Sequence, residues 1–362
     1  MKIAFLVKYY ESYQNNMLLK NPNWNDLNYD SLIEKINDDY FLMYNSFVKY
    51  LSRLGHEVQL IIPNMKLLQN KWIENRKIVI NGNWELEIAQ LQISEFKPDI
   101  LFLNSNFEYW GGFLEKAKKH SKKVCGWLSC PFPKSLSFKH IDLVYTLFPP
   151  HHTYFKSIGI NSKLVHAGFD QEIYSMLKPD PTIDVSFIGG IGAYHKKRTE
   201  FLMKLASSVK IDFWGYGFES SNLIKTFLKH VITKFRFYNN YNGLAWGTDM
   251  YSAIGNSKIS INVHGDIAKE YSVNMRMFEA TGMGSLLLTE KTDYLNNFFD
   301  PEKEVITYNN VDEAKEKIKY YLENDSERIK IAKAGQERTF KDYNYKTLIK
   351  NYEADFIELL NK

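Results

Sequence analysis

The chain has 362 residues, more than one comfortable hydrophobic core holds, so two domains are expected. Hydrophobic residues make up 44% and aromatic residues 15%, the profile of a folded globular protein. The net charge of +4 is too small to point to nucleic acid, and no aromatic–arginine interleaving marks an RNA-binding module.

Cys125 and Cys130 form no CxxC and have no second pair, so zinc is not expected and a reducing compartment is. The opening MKIAFLVKYY lacks a leader cleavage pattern. No stretch approaches the roughly 18 apolar residues of a membrane span. The expected location is cytoplasmic, either soluble or peripheral at the inner face of the membrane.

Residues 2–7 read as an apolar opening strand, followed by a polar, aromatic insert over 9–29. Leu32, Ile36, Tyr40, Met43, Phe47 and Leu51 recur every three or four residues and predict one helix over 31–54, capped by Gly55. Strands are expected at 58–62, 78–80, 99–103, 124–128 and 141–146, and helices at 85–96 and 113–120. Strands alternating with helices imply a parallel sheet, whose ligands lie beyond the carboxyl ends of its strands. That rule gathers Tyr9, Asn104, Glu108, Ser129 and a loop over 146–152 near one cleft.

Glycine, prolines and few apolar anchors place a linker at 171–183, between domains 1–170 and 184–340. The second domain opens with a strand at 184–188 and the turn Gly189-Gly190-Ile191-Gly192, then a helix over 195–206. Such a turn lets a phosphate approach the backbone, and Lys196, Lys197 and Arg198 add positive charge. His195 stands where G-x-G-x-x-G needs its third glycine, which argues against NAD. A strand at 209–214 ends in Gly215-Tyr216-Gly217. Segment 222–238 is basic and partly apolar; it reads as a packed helix with a solvated edge or as a peripheral membrane contact.

The most informative stretch is 257–290, read as strand, polar loop, helix and strand. The helix is expected to start near Val273 with Ser272 as its cap. Arg276 and Glu279, three apart, share a face. A helix N-terminus with an arginine suits phosphate, and a carboxylate one turn deeper can accept from two ribose hydroxyls. A surface Arg–Glu pair is the other reading. Helices at 312–322, 326–339 and 345–360 close the chain.

The run N-M-R-M-F-E-A-T-G-M-G-S-L-L-L-T resembles the donor-site helix of GT-B glycosyltransferases of the group-1 superfamily, in its spore-maturation-type (CgeB-like) branch. The segment H-A-G-F-D-Q-E-I-Y, the turn G-Y-G and the opening with G-H-E-V are also similar to that superfamily. The resemblance implies an α/β fold of two Rossmann-like domains facing each other across a cleft. It also implies that the last helix, 341–362, crosses back to the first domain. Glu279 takes the ribose role, and Asn274 and Arg276 the donor-loop role. Tyr271 stands where many retaining members have the first glutamate of a Glu-x7-Glu pair; Glu270 is one residue further away. The stereochemical outcome is therefore left open.

The activity implied is metal-independent transfer from a nucleotide-diphosphate sugar, without a cofactor. The acceptor is a glycan, a lipid-linked sugar or a protein, in bacterial surface polysaccharide or glycoprotein synthesis. The nucleotide-site candidates are Gly189, Gly190, Lys197, Arg198, Gly215, His264, Asn274, Arg276 and Glu279. Arg198 and Arg276 are expected to stabilise the leaving diphosphate. For the base, Glu108 leads Glu11, Asp26 and His152. The alternatives are a sugar-nucleotide epimerase of the same fold and a non-catalytic nucleotide-sugar-binding protein.

Overall fold

Eleven strands among the described residues form two all-parallel sheets. The computed structural model describes residues 1–74, 76, 78–191, 195–217, 239–265, 268 and 270–362. The basic segment 222–238 and Gly192 lie outside them. The chain divides into two units, one of residues 1–166 with 346–362, the other of residues 167–345.

Unit 1 holds β1 (Lys2–Leu6), β2 (Glu57–Ile61), β3 (Ile100–Leu103), β4 (Lys123–Trp127), β5 (Leu143–Thr146) and β6 (Ser162–Leu164), in the order β2-β1-β3-β4-β5-β6. Its central strands are buried along nearly their whole length, which is why they read as continuous apolar runs. Helix Tyr345–Leu360 contributes most of its length to this unit. Glu353 meets His56 at 2.7 Å, Asp355 accepts from the Tyr145 hydroxyl at 3.1 Å, and Phe356 packs on Phe102.

Unit 2 holds β7 (Ile183–Ile188), β8 (Asp212–Trp214), β9 (Ser257–Ile261), β10 (Leu286–Glu290) and β11 (Ile306–Tyr308), in the order β11-β10-β9-β7-β8. In both units the first strand lies between the second and the third. Successive connections leave it in opposite directions, so each unit has a switch point there, between β1 and β3 and between β7 and β9.

The structure corrects three local expectations. The helix expected over 31–54 is two, Tyr29–Asp38 and Met43–Arg53. Tyr40 takes a positive φ of 52° at the break. Phe41 turns to stack on Tyr13 at 3.7 Å, and the Tyr13 hydroxyl donates to Asp39 at 2.8 Å. The 9–29 insert therefore bends the helix by tertiary contact. It is itself ordered, as helix Glu11–Lys20 and a 3-10 turn Pro22–Asp26. Residues 78–80 join no sheet, and Val79 is 77% exposed, so an apolar triplet without burial forms no strand. The 149–152 loop is the start of helix Pro149–Ser157, with prolines in its first turn, where a missing N–H costs nothing. No helix among the described residues is long and apolar enough to cross a membrane.

Candidate functional site

At the carboxyl end of unit 2 the β7–β8 ladder continues past both strands. Gly189 N–H donates to Trp214 O at 2.9 Å and Ile191 N–H to Tyr216 O at 3.0 Å. Gly215 has φ +142°, and a Cβ there would lie 2.1 Å from Gly189 O, so no side chain fits. A Cβ on Gly190 would lie 2.4 Å from the Tyr216 ring. The three expected glycines thus let two turns close on each other, with Tyr216 laid over Gly190.

The helix Lys196–Ala206 leaves this turn. Arg198 Nη1 donates to Gly190 O at 3.0 Å. A Cβ on Gly265, beyond β9, would lie 3.9 Å from Arg198 Nη2. The guanidinium therefore reaches from the loop after β7 to the loop after β9, across the switch point. Lys197 is exposed at the same helix end.

The helix expected from Val273 begins at Met275, and its cap is Asn274 rather than Ser272. Asn274 Oδ1 accepts from Met277 N–H at 3.3 Å, as capping asparagines do. That bond fixes the amide's orientation. Its Nδ2 donates to Asn262 Oδ1 at 2.9 Å, and Asn262 Nδ2 then donates to Thr289 Oγ1 at 3.1 Å and faces His264 Nε2 at 3.2 Å. His264 Nε2 is thereby the acceptor and Nδ1 the donor, to Glu290 at 2.5 Å. Both ring nitrogens of His264 are engaged inside the protein. Asn274 and His264 belong to one relay that ties the helix start to the ends of β9 and β10.

Arg276 and Glu279 sit on this helix. Nη1 of Arg276 lies 2.8 Å from Oε2 of Glu279, yet is not aligned for a hydrogen bond. The contact is a charge pairing that leaves hydrogen-bonding capacity on both groups. Glu279 is 7% exposed. Burial pushes its carboxyl above the ordinary value, against the opposing pull of Arg276. Burial and the charge of Glu279 hold the Tyr251 phenol high as well. The acid therefore lies in low-dielectric surroundings, where hydrogen bonds to its carboxyl meet little competing water.

Sequence reasoning missed Tyr216, Asn262 and Glu290. Tyr216 is 48% exposed and parallel to Trp246, with ring centroids 6.3 Å apart. The signal was present in G-Y-G, where an aromatic between glycines is held by the turn. Glu290 ends β10, and only the strand order shows that it faces His264.

At the carboxyl end of unit 1 a cavity of about 360 Å³ lies at the switch point, lined by Lys8, Tyr10, Asn104, Trp127, Ser129 and Cys130 among others. Asn104 and Ser129 fall where expected. Tyr9 does not: its ring is buried and its hydroxyl bonds Asn45 at 3.3 Å, while its neighbour Tyr10 lines the cavity. Adjacent extended residues point opposite ways, and the register was one residue off. Thr146 is buried and accepts from Phe148 N–H at 3.2 Å, so it turns the chain instead. Glu108 pairs with Lys8 at 3.0 Å, and Glu85 meets the same ammonium at 3.1 Å. Burial lowers the Lys8 pKa, but Glu108 and Glu85 outweigh it and hold the ammonium above its ordinary value. His152 lies elsewhere, 3.2 Å from Ser162 Oγ, in a hollow lined partly by the last helix. Glu11 and Asp26 are exposed, in the first helix and the 3-10 turn.

Residues 197–354 match the family described as glycosyl transferase-like, a span that includes Arg198, His264, Asn274, Arg276 and Glu279. The chain thus carries a glycosyltransferase-type domain. No curated protein matches the sequence. Among solved structures, a glycosyltransferase from Rickettsia africae is 13% identical, with a TM-score of 0.62 over 99% of this chain and 98% of that one. HepE of Anabaena, solved in complex with UDP-glucose, is 12% identical, with a TM-score of 0.62 over 99% of each chain. Sucrose-phosphate synthase from Thermosynechococcus elongatus is 9% identical, with a TM-score of 0.61 over 100% of this chain and 99% of that one. These likenesses show the fold, two parallel-sheet α/β units of the GT-B glycosyltransferase type.

Proposed function

We propose that the chain transfers a sugar from a nucleotide-diphosphate sugar to a glycan, lipid-linked or protein acceptor. The setting proposed is bacterial surface polysaccharide or glycoprotein synthesis at the cytoplasmic side of the membrane. The spore-maturation-type branch of the superfamily is the proposed affiliation. The observation that carries the reading is the Arg276–Glu279 pair, its acid buried, on the helix that follows β9, at the same carboxyl end of the sheet as the glycine turn and Arg198. Glu279 accepts from the ribose hydroxyls. Arg276 and Arg198 take the charge of the diphosphate, so the transfer is proposed to need neither metal nor cofactor. The UDP-glucose complex of HepE supports a donor of this class.

In the transfer the acceptor oxygen bonds to the anomeric carbon while the bond from that carbon to the diphosphate oxygen breaks. The nucleoside diphosphate leaves with the electron pair, and the hydroxyl proton passes to a base. Glu108 is proposed for that base. Lys8, which lines the switch-point cavity of unit 1, holds its carboxylate in place at 3.0 Å.

A thermal-shift screen with UDP, GDP, dTDP, CMP and their sugars tests the reading, because only a ligand that prefers the folded state raises the melting temperature. One nucleotide and its sugar are expected to do so. Transfer of radiolabel from that sugar nucleotide to an acceptor then distinguishes a transferase from an epimerase or a binding protein. A flat screen would count against the site.

A further inference from the structure

Unit 1 has a further cavity, of about 440 Å³, toward the amino ends of β1 and β2 and so toward the other end of the sheet from the Lys8 cavity. Edge strand β2, helices Lys66–Glu74 and Trp84–Phe96 and the first turn of Tyr29–Asp38 all contribute to its lining. The volume falls within the range of small-molecule sites.

Its charges cancel: Lys2, Lys71 and Arg76 stand against Asp30, Glu57 and Glu95. Two of the pairs are closed. Lys2 meets Glu57 at 3.2 Å, and Arg76 clamps Glu95 with hydrogen bonds of 3.1 and 2.8 Å. The Arg76 guanidinium also lies 4.1 Å over the Trp72 ring. Neither an anion nor a cation is favoured by such a lining.

What remains unspent is neutral. Gln92 is 1% exposed and sits on the inward face of its helix beside Ile88, Ala89 and Ile93. Neither its Oε1 nor its Nε2 has a hydrogen-bond partner among the described residues, and Gln59 Oε1 is in the same condition. The other side of the Gln59 amide bonds the Tyr29 phenol. Buried amides are rarely left without partners. Two carbonyl acceptors and one NH₂ donor match hydroxyl groups, each of which both donates and accepts.

We propose that this cavity is a carbohydrate site separate from the donor site, taking one neutral pyranose unit with Gln92 and Gln59 on its hydroxyls and Tyr29 beside the ring. It uses no residue of unit 2 and stands apart from the donor reading.

Saturation-transfer NMR on the full chain reads it directly, with methyl glycosides of glucose, galactose, mannose and N-acetylglucosamine as probes. At least one glycoside is expected to receive saturation. Gln92→Met keeps the side-chain length, removes the amide and is expected to weaken that binding at least tenfold, about one factor of ten in Kd. Gln59→Met is expected to do the same from a different element, which guards against a folding defect in either variant. The nucleotide-induced thermal shift should be unaltered in both, so a failure here is distinguishable from a failure of the donor site. No transfer to any of the four glycosides, or transfer equal in wild type and both variants, would overturn the proposal and leave the cavity to water.

Discussion

The two sheets start from the same topology and finish it differently. At the switch point of unit 2 the carboxyl end is built mainly from backbone: glycines too crowded for a side chain and a capped helix, which carries one ion pair with a buried acid. At the switch point of unit 1 it is built from side chains of Lys8, Tyr10, Asn104 and Trp127, with a lysine shared between two acids. Backbone cradles hold one shape, whereas side-chain linings adapt by rotamer. Under the proposed function the contrast suits a constant group, the nucleotide diphosphate, on unit 2 and a variable one, the acceptor, on unit 1.

Breaking the backbone cradle should cost most. Gly215→Val places a side chain 2.1 Å from Gly189 O at φ +142°. Chemical denaturation should show a loss of more than about 3 kcal/mol, falling on the transition of unit 2. A variant as stable as wild type would mean that the turn is not locked.

Arg276→Met comes next, since it leaves the Glu279 carboxylate buried and unpaired. Removing one partner of a buried pair costs about 3–5 kcal/mol. Lys8→Met, on a partly exposed ammonium, should cost no more than about 1 kcal/mol in the same assay, because solvent screens its pairs. Equal losses would erase the contrast between the two ends. In transfer assays Lys8→Met should still matter, through kcat, because the proposed base Glu108 loses the group that positions it.

The smallest effect is the pH dependence carried by Glu279. Its carboxyl is raised above the ordinary 4.5 in the folded chain. The folded state therefore keeps this proton over a range where the unfolded state has lost it. The stability it contributes is fully present below about pH 4.5 and is lost as pH rises through the folded value. Glu279→Gln has no proton to lose, so wild-type stability minus variant stability should fall as pH rises. A difference that is flat or rises with pH would contradict the burial assigned to this acid.

The sequence made the strand–helix alternation and the Arg276–Glu279 pair legible because both are local patterns. The helix start was misjudged because Ser272 and Asn274 are both good caps, and only Asn262, brought in by β9, selects between them. The break at Tyr40 was hidden because the apolar residues of both helices keep one phase, and the stacking partner Tyr13 comes from a separate element. Gln59 and Gln92 gave no signal at all. They lie on a strand and a helix distant in sequence, and their shared cavity exists only once both pack.

Calorimetric titration of Glu279→Ala tests the central claim most directly, using the nucleoside diphosphate that stabilises the wild-type chain. Affinity is expected to drop at least about a hundredfold, near 2.7 kcal/mol, with the circular dichroism spectrum unchanged. An affinity equal to wild type would show that the buried acid holds no part of the nucleotide.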